Sequence, residues 1–435
     1  MRHVAFVLLL PLVALAFPRS AQADDGPWIK ERLPALVDFY KDLHAHPELS
    51  FQEVETAKRV GEALKAAGLQ VTQGIGKTGV VGVLANGAGP TVLVRTDLDA
   101  LPVIEATGLP YASKVTITDA TGKTVGAMHA CGHDIHMTCF VGVARWLAEH
   151  KDRWSGKVLF VGQPAEELVS GARAMLDDGL YERFGRPDFA LAMHVTNDIE
   201  TGAIGYRIGP AMAGSTALDV VVKGKGGHGA GPHNTLDPIV LASLLVLDLQ
   251  TIVSREVSPI DPAVVTVGSI HGGTKHNIIP DEVRLQLTLR AFKAEVGELL
   301  IEGVKRRAEA LARAHRAPMP VVTLGESTPP TINTPELVAR VLPTLIKQLG
   351  KDRVREVERT MGAEDFGIFG RDGCPTFMFN LGSVPAATIE ASKTKGPPLA
   401  SLHSAQYYPD PAPTIATGVG AMASMVVALA PPKAP

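Results

Sequence analysis

Thr91 to Ala100 reads TVLVRTDLDA, an apolar run that turns acidic at Asp97 and Asp99. Two later segments share the design: Lys157 to Glu167 (KVLFVGQPAEE) and Asp188 to Val195 (DFALAMHV). Short apolar runs of this kind suit strands buried on both faces of a parallel sheet. Helical stretches lie around them, Glu55 to Ala67, stopped by Gly68, and Cys139 to His150. The alternation predicts an α/β fold with a central, mostly parallel sheet. In such sheets ligands bind beyond the carboxyl ends of the strands. Asp97, Asp99, Glu166, Glu167 and His194 are placed at those ends, with His194 ending its own strand.

From about residue 210 the texture changes. Ala217 to Lys223 reads as a strand, and a helix opens at Asp237-Pro238 and runs to about Ser254, with the aspartate as N-cap and proline at the first helical position. Extended segments follow at Ala263 to Ile270 and Glu282 to Phe292, then a helix from Ala294 to His315 and a strand near Pro320 to Leu324. This β-α-β-β-α-β order predicts a ferredoxin-like unit inserted into the larger domain. The expected division is a leader at 1–23, an α/β domain in two parts at 24–209 and 325–435, and the inserted domain at 210–324. Residues 393–400 read as a surface loop and 431–435 as a frayed end.

The chain has 435 residues, 46% hydrophobic and 20% charged, which excludes a disordered polymer and allows two or three domains at roughly 100–200 residues each. Its formal net charge is −3 and it has no basic blocks, so nucleic acid is not an expected partner. Met1-Arg2-His3, an apolar run from Val4 to Phe17 and Ala21-Gln22-Ala23 have the form of a secretory signal peptide, which places the mature start near Asp24. That run is shorter than the about 20 residues of a spanning helix, although an uncleaved anchor is the alternative. No later stretch is read as long and apolar enough to span. The expectation is an exported, periplasmic protein with no stable membrane insertion after cleavage. Of three cysteines, Cys131, Cys139 and Cys374, at least one is left unpaired even where disulfides form.

The densest chemistry lies in MHACGHDIH, Met128 to His136. A lone histidine is more often structural than ligating. Here Cys131 and His133, two apart, can present thiolate and imidazole to one point, and Gly132 between them permits an unusual backbone turn. In Gln163-Pro164-Ala165-Glu166-Glu167 the adjacent carboxylates, taken alone, read equally well as a solvated pair. The preceding apolar run moves them to the sheet mouth. There, extended backbone points one carboxylate at a metal and its neighbour toward substrate, which suits a ligand and a general base. His194 and His403 are each, alone, equally well structural.

RTDLDALP, MHACGHDIH, QPAEE, GGHGAGPH, NIIP, MGAEDF and the late LHS occur in an order and spacing that resemble a known family. It is that of the dinuclear metallo-amidohydrolases related to hippurate hydrolase, N-acyl amino acid hydrolases and plant auxin-conjugate hydrolases, within the wider aminoacylase and carboxypeptidase-like metallopeptidases. The resemblance spans about residues 44 to 410. It implies a catalytic α/β domain interrupted by a lid and dimerisation domain. It implies that Cys131, His133, Glu167, His194 and His403 hold two divalent metal ions. Glu166 would be the general base that takes a proton from metal-bound water and passes it to the leaving amine. Asp99 sits where the family has an acidic residue behind the ligands. Asp97 stands where the broader family has a histidine ligand, which is the pattern of the hippurate hydrolase branch.

The resemblance also implies that His228, in Gly226-Gly227-His228-Gly229, helps stabilise the oxyanion, reaching across a dimer; a surface-loop histidine is the alternative. Asn277 and Arg290 are further substrate-binding candidates. Alternation in Glu282 to Arg290 puts Arg284, Gln286, Thr288 and Arg290 on one face, so Arg290 can meet a substrate carboxylate, although a solvated strand face explains it nearly as well. Glu364 is expected on the substrate side, outside the ligand set. His44, His46 and His233 are read as loop or supporting residues.

The expected protein is therefore a metal-dependent amidohydrolase cleaving N-acyl amino acids or similar small amides, working as a homodimer through its lid. A bound divalent ion lowers the pKa of its water to about 7 and polarises the carbonyl, and a nearby carboxylate handles the protons. A dipeptidase or carboxypeptidase of the same fold is the first alternative. A non-catalytic periplasmic binding protein is the second, against which the complete ligand set and base argue. Mixed thiolate, imidazole and carboxylate donors accept zinc, manganese, cobalt or nickel. As a thiolate ligand, Cys131 ties metal retention to its reduced state.

Overall fold

Thr91–Asp97 lies inside an eight-stranded sheet in the computed structural model, which describes residues 26–118, 122–394 and 396–433. The expected leader, 1–23, is outside the described residues. Across the sheet the strands run Gln70–Ile75, Gly79–Asn86, Gly156–Gln163, Thr91–Asp97, Phe189–Glu200, Thr376–Val384, Ile204–Tyr206 and Val354–Glu356. The four in the middle are parallel, and antiparallel neighbours flank them on either side. Alternation along Thr91–Asp97 divides the core. Val92 and Val94 pack with Leu36, Phe140 and Val419 from the helices Gly26–Ala45, His133–Glu149 and Pro411–Leu429. Leu93 points the other way, among Met175, Phe366 and Phe369. The strand is apolar from Val92 to Val94 because both faces are covered there, and it turns polar at its buried carboxyl end, Arg95 to Asp97.

Several boundaries differ from the sequence reading: the inserted strand expected from Ala217 begins at Gly214, the one expected to end at Leu324 runs on to Thr328, past the expected domain boundary, and two more lie at the site. The helix expected from Cys139 begins at His133, so the cysteine-histidine motif is its entrance. The strand expected to stop at Val195 continues to Glu200, because the ladder with Thr376–Val384 reaches that far, and His194 sits within the strand.

The inserted unit has strands Gly214–Lys223, Ala263–His271, Glu282–Ala291 and Val321–Thr328, with helices Pro238–Thr251 and Ala294–Ala314. Its sheet order, Ala263–His271, Glu282–Ala291, Gly214–Lys223, Val321–Thr328, is antiparallel throughout, as in a ferredoxin-like fold. One sheet face buries Leu218, Val220, Leu285 and Leu287 against Leu245, Leu249, Leu300 and Val304, a core of its own. Asp237 Oδ1 caps the first helix by accepting from Ile239 N at 2.9 Å. The chain enters and leaves through Gly209–Met212 and Thr331–Asn333, which pair as a short ladder.

Contrary to the sequence reading, two later segments reach membrane length and apolarity. Pro411–Leu429 has mean hydropathy 1.6 and is 72% buried, so its apolar surface is that of a core helix. Pro238–Glu256 has mean hydropathy 1.5 and is 33% buried, covering the inserted sheet with one side and exposing Val240, Leu244 and Leu247 on the other.

Candidate metal centre

Gly132 precedes the helix His133–Glu149 with φ 78°, a left-handed conformation. A Cβ there would meet Val195 Cγ2 at 2.5 Å, so only glycine lets the turn lie against the neighbouring strand. That turn brings Cys131 Sγ to 3.4 Å from His194 Nε2. From the other end of the chain, His403 Nε2 lies 3.2 Å from the same sulfur and 3.6 Å from Glu167 Oε2. His403 is held at φ 67° by its backbone N–H, which donates to Ala130 O at 2.8 Å. Strain of this kind persists where surrounding bonds over-determine it, and it gathers at functional sites.

The donors form two groups that share the thiol: Cys131, His133 and His194, and Cys131, Glu167 and His403, each with ligand atoms within 4.8 Å of one another. All five expected ligands are thus brought together. His133 Nδ1 bonds the Asp99 carbonyl at 2.8 Å, and His194 Nδ1 bonds the Val195 carbonyl at 2.7 Å. A carbonyl only accepts, so both Nδ1 atoms carry the proton and both Nε2 lone pairs face the centre. His133 Nε2 and Glu167 Oε1 are buried, 3.8 Å apart and without a hydrogen-bond partner. Orphaned acceptors are costly unless something positive lies between them. A pair of divalent ions fits this donor set.

The electrostatics agree. Burial raises the Glu166 carboxyl well above the usual carboxylate range, with Glu364 and Glu167 adding to it. Burial also raises Glu167 to about 7, with Asp99 contributing. Burial pushes the Cys131 thiol up, and it pushes His194 down to about 3, helped by His136. Such a crowd of buried anionic donors calls for cations, which favour the deprotonated ligand forms.

Glu166 and Glu167 reach the centre by a different route from strand alternation. The strand ends at Gln163, and both carboxylates sit in the following turn, where Ala165 has φ 48°. Glu53 braces that turn by accepting from Ala165 N at 2.8 Å and from Thr78 Oγ1 at 2.6 Å. Asp99 accepts from Glu167 N at 3.0 Å and Ser50 Oγ at 2.7 Å, so it stands behind the ligands as expected of it.

Arg95 and Glu53 carry no expectation from the sequence, whereas His136 belongs to the potential donors of MHACGHDIH. Arg95 is fully buried and donates to Asp97 at 2.8 Å, Glu364 at 2.8 Å and Gln163 at 3.0 Å. Asp97 Oδ1 also accepts a hydrogen bond from His136 Nδ1 at 2.7 Å, while His136 Nε2 accepts from Val195 N at 2.8 Å. Both His136 nitrogens are therefore occupied, although Asp97, His133 and His136 lie close enough to suggest a further cation site. Asp97 has become a support that fixes the backbone next to His194. The signal available was a charged residue, Arg95, inside an otherwise apolar strand.

A cleft of about 680 Å³ opens over Cys131, Glu166, Glu167, His194 and His403. Glu364 lines it but is 1% exposed, and its carboxylate is engaged by Arg95 and Phe366 N, so it is not free to hold a substrate amine. Arg290 faces the cleft from the open side of the inserted sheet and donates to Met361 O at 2.8 Å. His228 and Asn277 are exposed and do not line this cleft; His228 lies in a small ladder where Gly227-His228 pairs with Ile278-Ile279, and Asn277 adjoins it, its carbonyl accepting from Gly229 N at 2.9 Å. His44 is buried between Asp134 at 2.6 Å and Glu105 at 3.1 Å; His46 and His233 lie at the surface or close to it.

A parallel sheet carrying this paired donor set at its mouth is the architecture of a dinuclear metallohydrolase. The chain belongs to the peptidase family M20/M25/M40, whose family model matches residues 93–397. It is 35% identical over 359 residues to thermostable carboxypeptidase 2 of Saccharolobus solfataricus, covering 82% of this chain and 87% of that protein. It is 35% identical over 350 residues to N-acetylcysteine deacetylase of Bacillus subtilis, covering 80% and 88%. A dinuclear metal-binding M20 peptidase from Bacillus subtilis superposes with a TM-score of 0.72 at 30% identity, covering 92% of this chain and 98% of the other. The protein is a metal-dependent hydrolase of this family.

Proposed function

We propose that the protein hydrolyses the amide bond of N-acyl amino acids, with Glu166 as general base and Cys131, His133, Glu167, His194 and His403 as ligands of two divalent ions. The observation that carries the reading is the placement of Glu166 Oε2, 3.8 Å from His133 Nε2 and beside the paired donors, with Arg290 lining the same cleft. When bound, the metal ions supply Lewis acidity and make water acidic enough to be deprotonated at neutral pH. Glu166, whose proton affinity is raised by burial, takes that proton and delivers it to the departing nitrogen. Arg290 exchanges its Met361 carbonyl for the carboxylate of the amino-acid half, a charge-assisted and therefore stronger partner. The name of the deacetylase supports this substrate class.

A second reading, carboxypeptidase or dipeptidase, is favoured by Glu326, which lines the cleft and makes no ion pair among the described residues, and so can receive a substrate ammonium. Hydrolysis of N-acetyl amino acids and of free dipeptides by stripped protein, with zinc, manganese, cobalt or nickel restored singly, decides between them. No hydrolysis of either class with any metal refutes both.

The inserted unit, in this reading, is a lid and a dimerisation domain. His228 N–H chemistry supports that role: His228 Nδ1 accepts from Ala230 N at 3.0 Å, which leaves the Nε2 proton exposed as a donor for a partner's substrate. The exposed Val240, Leu244 and Leu247 supply an apolar face for the pairing. Light scattering tests it: the protein is expected as a dimer and Leu247→Glu as a monomer. We further propose cleaved export to the periplasm from the leader pattern, which N-terminal sequencing of protein from its host tests.

A further inference from the structure

The two linkers of the inserted unit have an outer side as well as the side facing the metal centre. There, a cavity of about 880 Å³ is walled by Phe292, just past the inserted strand Glu282–Ala291, by Pro210 and Pro330 of the linkers, and by Ile368 and Arg371 of the segment that follows Glu364. Arg173 completes it from the helix Gly171–Asp177. Neither guanidinium has an ion pair among the described residues, and Arg371 Nε is buried without a hydrogen-bond partner. The 21-residue helix Ala294–Ala314 also begins at this cavity, and no side chain caps it. Its first N–H groups add partial positive charge. Lys293 is neutralised by Asp261 at 2.7 Å, and Glu295 is the one acid among the described lining residues. Apolar walls with unpaired guanidinium donors are complementary to a small organic anion.

We propose that this hinge cavity binds a small carboxylate with an aromatic or alkyl body, and that its occupancy changes turnover at the metal centre. The binding site stands on the cavity itself; the effect on turnover rests on the hydrolase reading above. Amide hydrolysis releases a carboxylate of this class. The walls come from the inserted unit, both linkers and the segment that carries Glu364, so a ligand filling the cavity contacts both sides of the hinge. Any change of hinge angle alters those contacts, which is the differential interaction that a conformational effect requires. Filling the cavity holds the hinge and lowers kcat.

The test uses the metal-loaded enzyme with benzoate as probe and benzyl alcohol as its uncharged analogue. Calorimetry is expected to show two benzoate sites per chain, one of them lost in R173Q/R371Q with roughly a tenfold or larger loss of affinity. Benzoate is expected to inhibit N-acetyl amino acid hydrolysis in a mixed manner, and R173Q/R371Q to inhibit only competitively while its kcat/KM without benzoate stays within about twofold of the parent. Benzyl alcohol is expected not to fill the second site. A single benzoate site with purely competitive inhibition of the parent enzyme overturns the proposal whatever the variant does, as does equal binding of benzyl alcohol. Absent hydrolysis with two calorimetric sites overturns the hydrolase reading and leaves the binding site standing.

Discussion

His403 Nε2 lies 3.2 Å from Cys131 Sγ although 272 residues separate them in the chain. The contact joins one donor group to another, because the same sulfur also lies 3.4 Å from His194 Nε2. A thiolate in that position serves both groups. Cys131→Ser is therefore expected to bind fewer than two metal ions per chain under conditions that saturate the parent, with hydrolysis falling in parallel. Elemental analysis of dialysed protein reads this directly, and two retained ions count against the shared ligand.

Glu166 belongs to neither of the groups that share the sulfur. Glu166→Gln is expected to lower kcat by roughly 10²–10⁴-fold, the range for loss of a general base, while both metals remain bound. Paired kinetic and metal-content measurements separate this from a ligand defect. Near-parental kcat with full metal occupancy removes Glu166 from the reaction.

Arg290 reaches the cleft from the inserted sheet and meets Met361 O. Arg290→Ala is expected to raise KM for N-acetyl amino acids by about ten- to hundredfold, as for a lost charge-assisted contact, with a smaller effect on the corresponding amino-acid amides. Equal effects on acid and amide substrates contradict carboxylate recognition.

Arg95 holds together carboxylates that cannot be buried without it: Asp97, Glu364 and Asp365 lie at 2.8, 2.8 and 3.4 Å. Arg95→Met removes one partner of a buried network and is expected to destabilise the fold by about 3–5 kcal/mol. The urea midpoint should drop accordingly. An unchanged midpoint means that the carboxylates find protons or water at little cost.

His44 gives a pH signature. Burial pulls its pKa down, but the hydrogen bonds with Asp134 and Glu105 more than offset this and raise it to about 9. A histidine with a raised folded pKa stabilises fully below its unfolded pKa, near 6.5, and loses that contribution as pH rises through the folded value. Stability is expected to decline by on the order of 2 kcal/mol between pH 6.5 and 9 from this group. Denaturation curves of His44→Gln should show lower stability at pH 6.5 and a flatter profile above it; parallel profiles rule the group out.

Much of the architecture is legible in local pattern. The apolar runs around Val92, Leu159 and Leu191 are buried on both sheet faces, and the alternation in Glu282–Ala291 divides Leu285 and Leu287 from Arg284 and Gln286 as read. Motif order also named the five donor side chains that the fold brings together. What escaped was the supporting layer. His136 resembles a third ligand until its two nitrogens are seen to be taken by Asp97 and Val195 N. Glu364 resembles a free carboxylate until Arg95 is found against it. Hydrogen-bond partners in a buried network are far apart in the chain, so no local spacing reveals who satisfies whom.

By itself, the amino-acid sequence determined the strand and helix periods, the inserted βαββαβ order and the residue types able to grip a cation, since these follow from side-chain spacing and donor chemistry. Tertiary structure alone decided that a left-handed turn at Gly132, a braced turn at Ala165 and the strained backbone of His403 aim their neighbours at one sulfur. It also decided that His228 and Asn277 stand away from this cleft. The physical reason is that direction in space is set by long-range packing and backbone hydrogen bonds, which sequence period does not encode.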